Sequence, residues 1–191
     1  MFGMSIYLCS KRPDGLKRLV HSLGCPNCPL AIVAGIDKGT RNNYDDVQHV
    51  EIIELPETNP FKSVAGENYL VKKVEPFSHI WVLNDDAYIS GEWEKQAFSV
   101  PQKFLGQCSD IYFPILTRSH YEKLGQIYPS QFKNWGADDW LVRAYANRTR
   151  RVDIRIIHEQ DIATRSRMTE ISGDYFPLLK NVPLLWPDPE K

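Results

Sequence analysis

Residues 80–89, Ile-Trp-Val-Leu-Asn-Asp-Asp-Ala-Tyr-Ile, run from an apolar stretch directly into two adjacent carboxylates, Asp85 and Asp86. Apolar residues without polar alternation predict a strand covered on both faces, as in a parallel sheet flanked by helices. Acidic residues at the end of such a strand lie at the lip of the sheet, where α/β proteins bind their ligands. This stretch therefore predicts an α/β fold and places candidate chemistry at its rim.

The flanking sequence repeats the pattern. Residues 5–10 (SIYLCS) read as a short buried strand, closed by a loop over KRPDG. LKRLVHSL then sets Leu16, Leu19, Val20 and Leu23 on one helical face. LAIVAGID (30–37) reads as a second buried strand ending in Asp37, and VEIIEL (50–55) as a third. Residues 59–74 read as a helix after Pro60, with Leu70, Val71 and Val74 facing inward, and 79–85 as the fourth strand. Further on, 110–125 reads as a strand then a helix, 137–148 as an amphipathic helix and VDIRIIH (152–158) as another strand. Strands alternating with helices predict a doubly wound, mostly parallel sheet. A chain of 191 residues fits one domain spanning 1–191, with the proline-rich 182–191 as a tail or linker.

Composition narrows the class. The chain is 42% hydrophobic and 25% charged, which fits an ordinary soluble domain. A net charge of −1 creates no overall field favouring nucleic acid or an anionic membrane. The N-terminal residues lack a basic segment followed by an apolar one, and no apolar run approaches the ~18 residues of a membrane span. The expectation is a cytoplasmic protein with reduced thiols. Cys25 and Cys28 form a C-x-x-C without a second ligand pair, so a proline-flanked turn is expected rather than a zinc or redox site. Arg143, Arg148, Arg150, Arg151 and Arg155 crowd together. They read either as a solvated helix end and turn or as a face for an anionic substrate.

Three features carry chemistry. Adjacent strand-end carboxylates suit a hard divalent cation that bridges a phosphate-bearing ligand, with Asp86 as direct ligand. Asp85 would reach the metal through water or hydrogen-bond a sugar hydroxyl. Mn²⁺ also accepts imidazole, which His158 at a strand end would supply. The competing account of Asp85-Asp86 is a surface turn, where Asn and Asp are favoured for local hydrogen bonds. The second acidic pair, Asp138-Asp139 in NWGADDW, precedes an apolar periodic run. Helix capping and first-turn stabilisation explain that placement. A general base receiving a proton from an acceptor hydroxyl explains it as well. Trp135 adds a flat apolar face and Gly136 a flexible turn.

In this order the motifs resemble the GT-A family of nucleotide-sugar glycosyltransferases, over most of the chain. IYLCSKRPDGLKRLV is similar to that family's first strand and helix, and AIVAGID to its second strand. WVLNDDAY stands where the family carries its DxD motif, with Asn84 in the first acidic position. WGADDWLVR resembles the W-G-x-E/D-D-x-x-L motif that supplies the base in inverting members. The late strand ending in His158 matches the family's third metal ligand.

The resemblance implies a single GT-A-like domain with a Rossmann-like nucleotide-binding half. It implies an inverting, hexosyltransferase-like activity with Mn²⁺ or Mg²⁺ as cofactor. The donor would be a nucleoside-diphosphate sugar, a UDP-sugar above others, and the acceptor a glycan or glycoprotein. Asp139 would be the base and Asp138 would bind acceptor hydroxyls, beside Trp135 and Gly136; a shift of one residue exchanges the two aspartates. Ser10, Lys11 and Arg12 would lie against nucleoside and phosphates, and Asp37 would take base or ribose. Lys62, Asn68 and Asn84 would line the same pocket, and Arg165 and Arg167 would close on the diphosphate. The rivals are a nucleotidyltransferase, for which SKRPDG is a poor phosphate loop, and a non-catalytic carbohydrate- or nucleotide-sugar-binding module. A metallohydrolase has little support from five scattered histidines.

Overall fold

The computed structural model describes residues 1–56, 63–108, 113–132, 136–159 and 176–187. In chain order the elements are β1 (Met4–Ser10), α1 (Pro13–Leu23), β2 (Leu30–Ile36), β3 (Glu51–Glu54), α2 (Ser63–Lys73), β4 (His79–Val82), β5 (Ala87–Ser90), α3 (Glu94–Ala97), β6 (Leu105–Gln107), β7 (Ile115–Thr117), α4 (Arg118–Leu124), α5 (Ala137–Tyr145), β8 (Thr149–Arg151) and β9 (Arg155–His158). Seven strands form the central sheet in the order β3-β2-β1-β4-β7-β6-β8, and β5 pairs with β9 in a separate two-stranded ribbon.

The expected mostly parallel α/β sheet is present. β1 pairs in parallel with both β2 and β4, and β3 extends the same direction. The reversed strand is β7, antiparallel to β4 and to β6. Both faces of the sheet are covered, as the unbroken apolar strands predict. On β1, Met4, Ile6 and Leu8 turn toward the core beneath α1, whereas Tyr7 joins the opposite core under α2 and α5. Leu16, Leu19 and Leu23 of α1 are buried as its periodicity predicts, as are Leu70 and Val71 of α2.

Several boundaries differ from the sequence reading. KRPDG does not form a loop throughout: α1 begins at Pro13, so Pro-Asp-Gly make its first turn. Proline there loses no helical hydrogen bond, and its fixed φ suits the helix. The acidic strand ends at Val82, and residues 84–87 form a turn closed by Ala87 N–H donating to the Asn84 carbonyl. The last predicted strand is confined to β9 and lies in the small ribbon, not in the central sheet. β5, β6 and β8 are too short to show periodicity, and their pairing is made by distant partners.

Residues 176–187 run over the surface of α5. Leu185 is buried in the core under that helix, and its N–H donates to the Ala144 carbonyl at 2.8 Å. Arg143 Nη1 donates to the Leu179 carbonyl at 3.1 Å, so this member of the arginine group ties the terminal segment to the helix. Arg150 and Arg151 lie exposed on the edge strand β8, where charge discourages further strand pairing. Cys25 and Cys28 are free thiols. Among the described residues no helix is long and apolar enough to cross a membrane.

Candidate active site

The strand order reverses around β1. β2 and β3 lie on one side of it and β4 on the other, so the ends of β1 and β4 flank a topological switch point. Ser10, Lys11 and Arg12 follow β1, Asp85 and Asp86 follow β4, and the two segments meet. Asp85 is only 6% exposed. Its Oδ2 accepts hydrogen bonds from the backbone N–H groups of Lys11 and Arg12, both at 2.8 Å, and from Ser10 Oγ at 3.2 Å. Its Oδ1 accepts from Arg12 Nη2 at 2.6 Å and Nε at 3.2 Å. Asp85 thus holds the β1–α1 connection against the end of β4, and both its oxygens are engaged by protein. Ser10 Oγ also lies 3.3 Å from the hydroxyl of Tyr44.

Asp86 faces differently. Arg12 Nη2 reaches its Oδ2 at 3.0 Å, and His158 Nε2 lies 3.1 Å from its Oδ1. That second contact is within ion-pair distance but lacks hydrogen-bond geometry, so Oδ1 is buried without a hydrogen-bond partner. Burial pushes the Asp86 carboxyl up, but its contacts with His158 and Arg12 outweigh this and hold it below the usual carboxylate range. Burial likewise opposes the charge of Arg12, and the two aspartates more than restore it.

The β5–β9 ribbon brings His158 to this position. Its register sets Ala87 opposite His158, and Glu159 N–H donates to the Asp86 carbonyl at 2.9 Å. The imidazole stands edge-on to the Phe113 ring, with centroids 5.1 Å apart. Asp86 and His158 fit a divalent cation. A buried carboxylate oxygen without a donor faces an imidazole nitrogen at 3.1 Å, close to the ~3 Å between neighbouring ligands of an octahedral ion with ~2.1 Å bonds. Among the described residues no third His, Cys, Asp or Glu joins them.

The second acidic pair occupies the first turn of α5. Gly136 is the N-cap, in the left-handed region at φ 79°, and no side chain caps the helix. Side-chain capping therefore does not account for Asp138 and Asp139, whereas their place in the first turn is where acidic residues favour a helix. Both are half-buried, and Asp138 Oδ1 accepts a hydrogen bond from the Tyr128 hydroxyl at 3.2 Å.

The remaining predicted residues divide. Asp37 is exposed just after β2, and Asn84 is half-buried in the turn before Asp85. Asn68 faces residues 127 and 128. Its Oδ1 accepts from the N–H groups of Ile127 and Tyr128, both at 2.9 Å, and its Nδ2 donates to the Tyr128 carbonyl at 2.7 Å. Lys62, Trp135, Arg165 and Arg167 lie outside the described residues. Sequence reasoning missed Tyr128 and Glu67. Glu67 adjoins Asn68 on a helix face that reads as mixed, and Tyr128 sits in an irregular segment, so neither carried a periodic signal.

No sequence family and no curated protein matches the chain. Solved structures do. The 1–349 fragment of S. aureus TarS in complex with UDP superposes with a TM-score of 0.58 at 16% identity, over 80% of this chain and 58% of that one. Drosophila β-1,4-galactosyltransferase 7, a mutant complexed with manganese, UDP-Gal and xylobiose, gives 0.55 at 12% identity, over 95% and 80%. The glycosyltransferase GlyE of Streptococcus pneumoniae gives 0.53 at 9% identity, over 96% and 53%. The chain spans little more than half the length of the TarS fragment it matches. With the switch-point site and the mostly parallel sheet, these likenesses identify the fold as that of GT-A-like glycosyltransferases.

Proposed function

We propose that this chain is a metal-dependent glycosyltransferase that moves a sugar from a nucleoside-diphosphate sugar to an acceptor hydroxyl with inversion. The observation that carries the reading is the Asp86–His158 pair at the switch point, with the Asp138-Asp139 turn as a second carboxylate source. Neighbours of the same fold hold UDP, and one holds manganese and UDP-Gal, which supports a UDP-sugar as donor.

In this reading Asp86 and His158 would hold Mn²⁺ or Mg²⁺, which would supply neutralisation of the donor diphosphate and Lewis-acid stabilisation of the leaving group. Arg12 keeps Asp86 ionised and fixes its carboxylate. Asp85 holds the Ser10–Arg12 segment in place, so its backbone borders the nucleotide. Asp37 and Asn84 contribute at the nucleoside side. Asp139 accepts the proton of the acceptor hydroxyl at a carboxylate oxygen as that hydroxyl attacks the anomeric carbon from the face opposite the leaving group. Asp138, with Gly136 shaping the turn, binds the acceptor, a glycan or glycoprotein.

A thermal-shift screen of nucleoside diphosphates and their sugars, with and without Mn²⁺, tests this. A ligand at 100 times its Kd adds about 2.7 kcal/mol of stability. Stabilisation by one nucleotide that requires Mn²⁺ and disappears in Asp86→Ala is the expected result. No shift with any nucleotide overturns the reading.

A further inference from the structure

Tyr128 is held from three directions. Asn68, 7% exposed on α2, makes three hydrogen bonds to the backbone of residues 127 and 128. From the other side His120 Nε2 meets the Ile127 carbonyl at 2.8 Å and its Nδ1 meets the Tyr145 hydroxyl at 2.9 Å. A carbonyl only accepts, so Nε2 carries the proton. Burial pushes the His120 pKa down to about 4, so the neutral ring takes the Tyr145 hydroxyl's hydrogen at Nδ1. The Tyr128 ring is 3% exposed, and its hydroxyl ends on Asp138. One hydrogen-bonded path therefore runs from α2 through residues 127–128 to the first turn of α5.

Glu67 precedes Asn68 and is 3% exposed. The residue before it, Gly66, packs against Cys9 Sγ of β1. We propose that Tyr128, clamped by Asn68, is a positioning residue that sets Asp138 toward the acceptor, and that the buried Glu67, one position before Asn68, belongs to the same cluster. The proposal rests on the transferase reading for the identity of the acceptor side. Burial, reinforced by the negative charge of Asp138, pushes the Glu67 carboxyl up to about 8. The other groups facing it, the Tyr128 phenol and the Cys9 thiol, are pushed well above their ordinary values, again chiefly by burial. Near neutral pH Glu67 is therefore the group that can keep its proton or lose it. Losing it sets a second negative charge beside Asp138.

The test uses two single variants of the whole chain: Tyr128→Phe and Glu67→Gln. Transfer is read with Mn²⁺ from UDP-galactose and UDP-N-acetylglucosamine to 4-nitrophenyl glycosides of xylose, galactose, glucose and N-acetylglucosamine. Tyr128→Phe keeps the ring and loses a hydrogen bond to a charged group, so acceptor KM should rise about tenfold or more while donor binding holds. Glu67→Gln keeps the shape of the protonated acid and cannot lose a proton, so it should lack the alkaline decline in acceptor affinity that wild type shows. Unchanged acceptor KM and kcat in Tyr128→Phe overturn the positioning role. So does an equal loss of donor and acceptor binding, which marks a merely structural residue.

Melting temperatures of wild type and Glu67→Gln between pH 6 and 9 need no substrate. A raised folded pKa means that stability is lost as pH climbs toward the folded value, so wild type should fall away from Glu67→Gln over that range. Parallel curves overturn the assignment of Glu67. Absence of transfer by wild type with every probe overturns the transferase reading, and the melting curves then judge the cluster separately.

Discussion

Gly15, in the first turn of α1, lies directly against the backbone carbonyl of Asp85, and a methyl group at position 15 would overlap that oxygen. Close approach, not backbone conformation, requires glycine here. The helix can then seat its first turn beneath the acidic turn, where Ser10, Lys11 and Arg12 reach Asp85. Gly15→Ala should destabilise the fold by roughly 1–3 kcal/mol through overpacking and weaken Mn²⁺-dependent nucleotide binding. Thermal denaturation and calorimetry check this; a variant indistinguishable from wild type in both would remove the contact from the account.

The two neighbouring aspartates should separate cleanly. Asp85→Asn disturbs two backbone N–H donors, a hydroxyl and a guanidinium that is about half exposed. Discounted for that exposure, the cost should be about 2–3 kcal/mol, a fall of several degrees in Tm. Asp86→Asn should abolish the calorimetric Mn²⁺ signal and leave a folded protein. The lowered pKa of Asp86 adds a sign. Its stabilisation is fully present above the ordinary aspartate value of 3.8 and is lost as pH falls through the lower folded value. The stability gap between wild type and Asp86→Asn should therefore narrow only in strong acid.

At the second pair, Asp139→Asn should cut turnover by ~10²–10⁴-fold, the usual contribution of a general base, and leave nucleotide binding nearly intact. Asp138→Asn should act mainly on acceptor KM. Wild-type turnover in Asp139→Asn, with collapse in Asp138→Asn, would exchange their roles.

The terminal segment gives a fourth expectation. Leu185 is 5% exposed beneath α5. Leu185→Ala should cost about 2–4 kcal/mol by cavity formation, measurable by urea unfolding. A cost near zero would return residues 182–187 to the status of a linker.

The legible parts of the sequence were those written in local pattern. Unbroken apolar runs identified β1, β2 and β4 because strands covered on both faces exclude polar residues, and the 3.6-residue spacing of Leu16, Leu19 and Leu23 identified α1. Asp85 and Asp86 could be placed at the sheet edge because they follow such a run without interruption. Asn68 was read as lining the nucleotide pocket, and its side chain bonds the backbone of residues 127 and 128; nothing in the sequence tells whether a buried amide faces a ligand or a neighbouring backbone. KRPDG was read as a loop because proline and glycine signal turns far more often than a helix start packed tightly on another chain segment.

The sequence by itself determined the α/β layering, the acidic lip and the carboxylates that open α5. Only the tertiary structure decided that β7 runs backwards, that Asp85 grips the β1–α1 segment while Asp86 turns to His158, and that Tyr128 reaches Asp138. Hydrophobic period is a property of neighbours along the chain. Pairing of β5 with β9, and the direction in which each buried polar side chain finds its partner, depends on segments far apart in sequence that meet only when the sheet has formed.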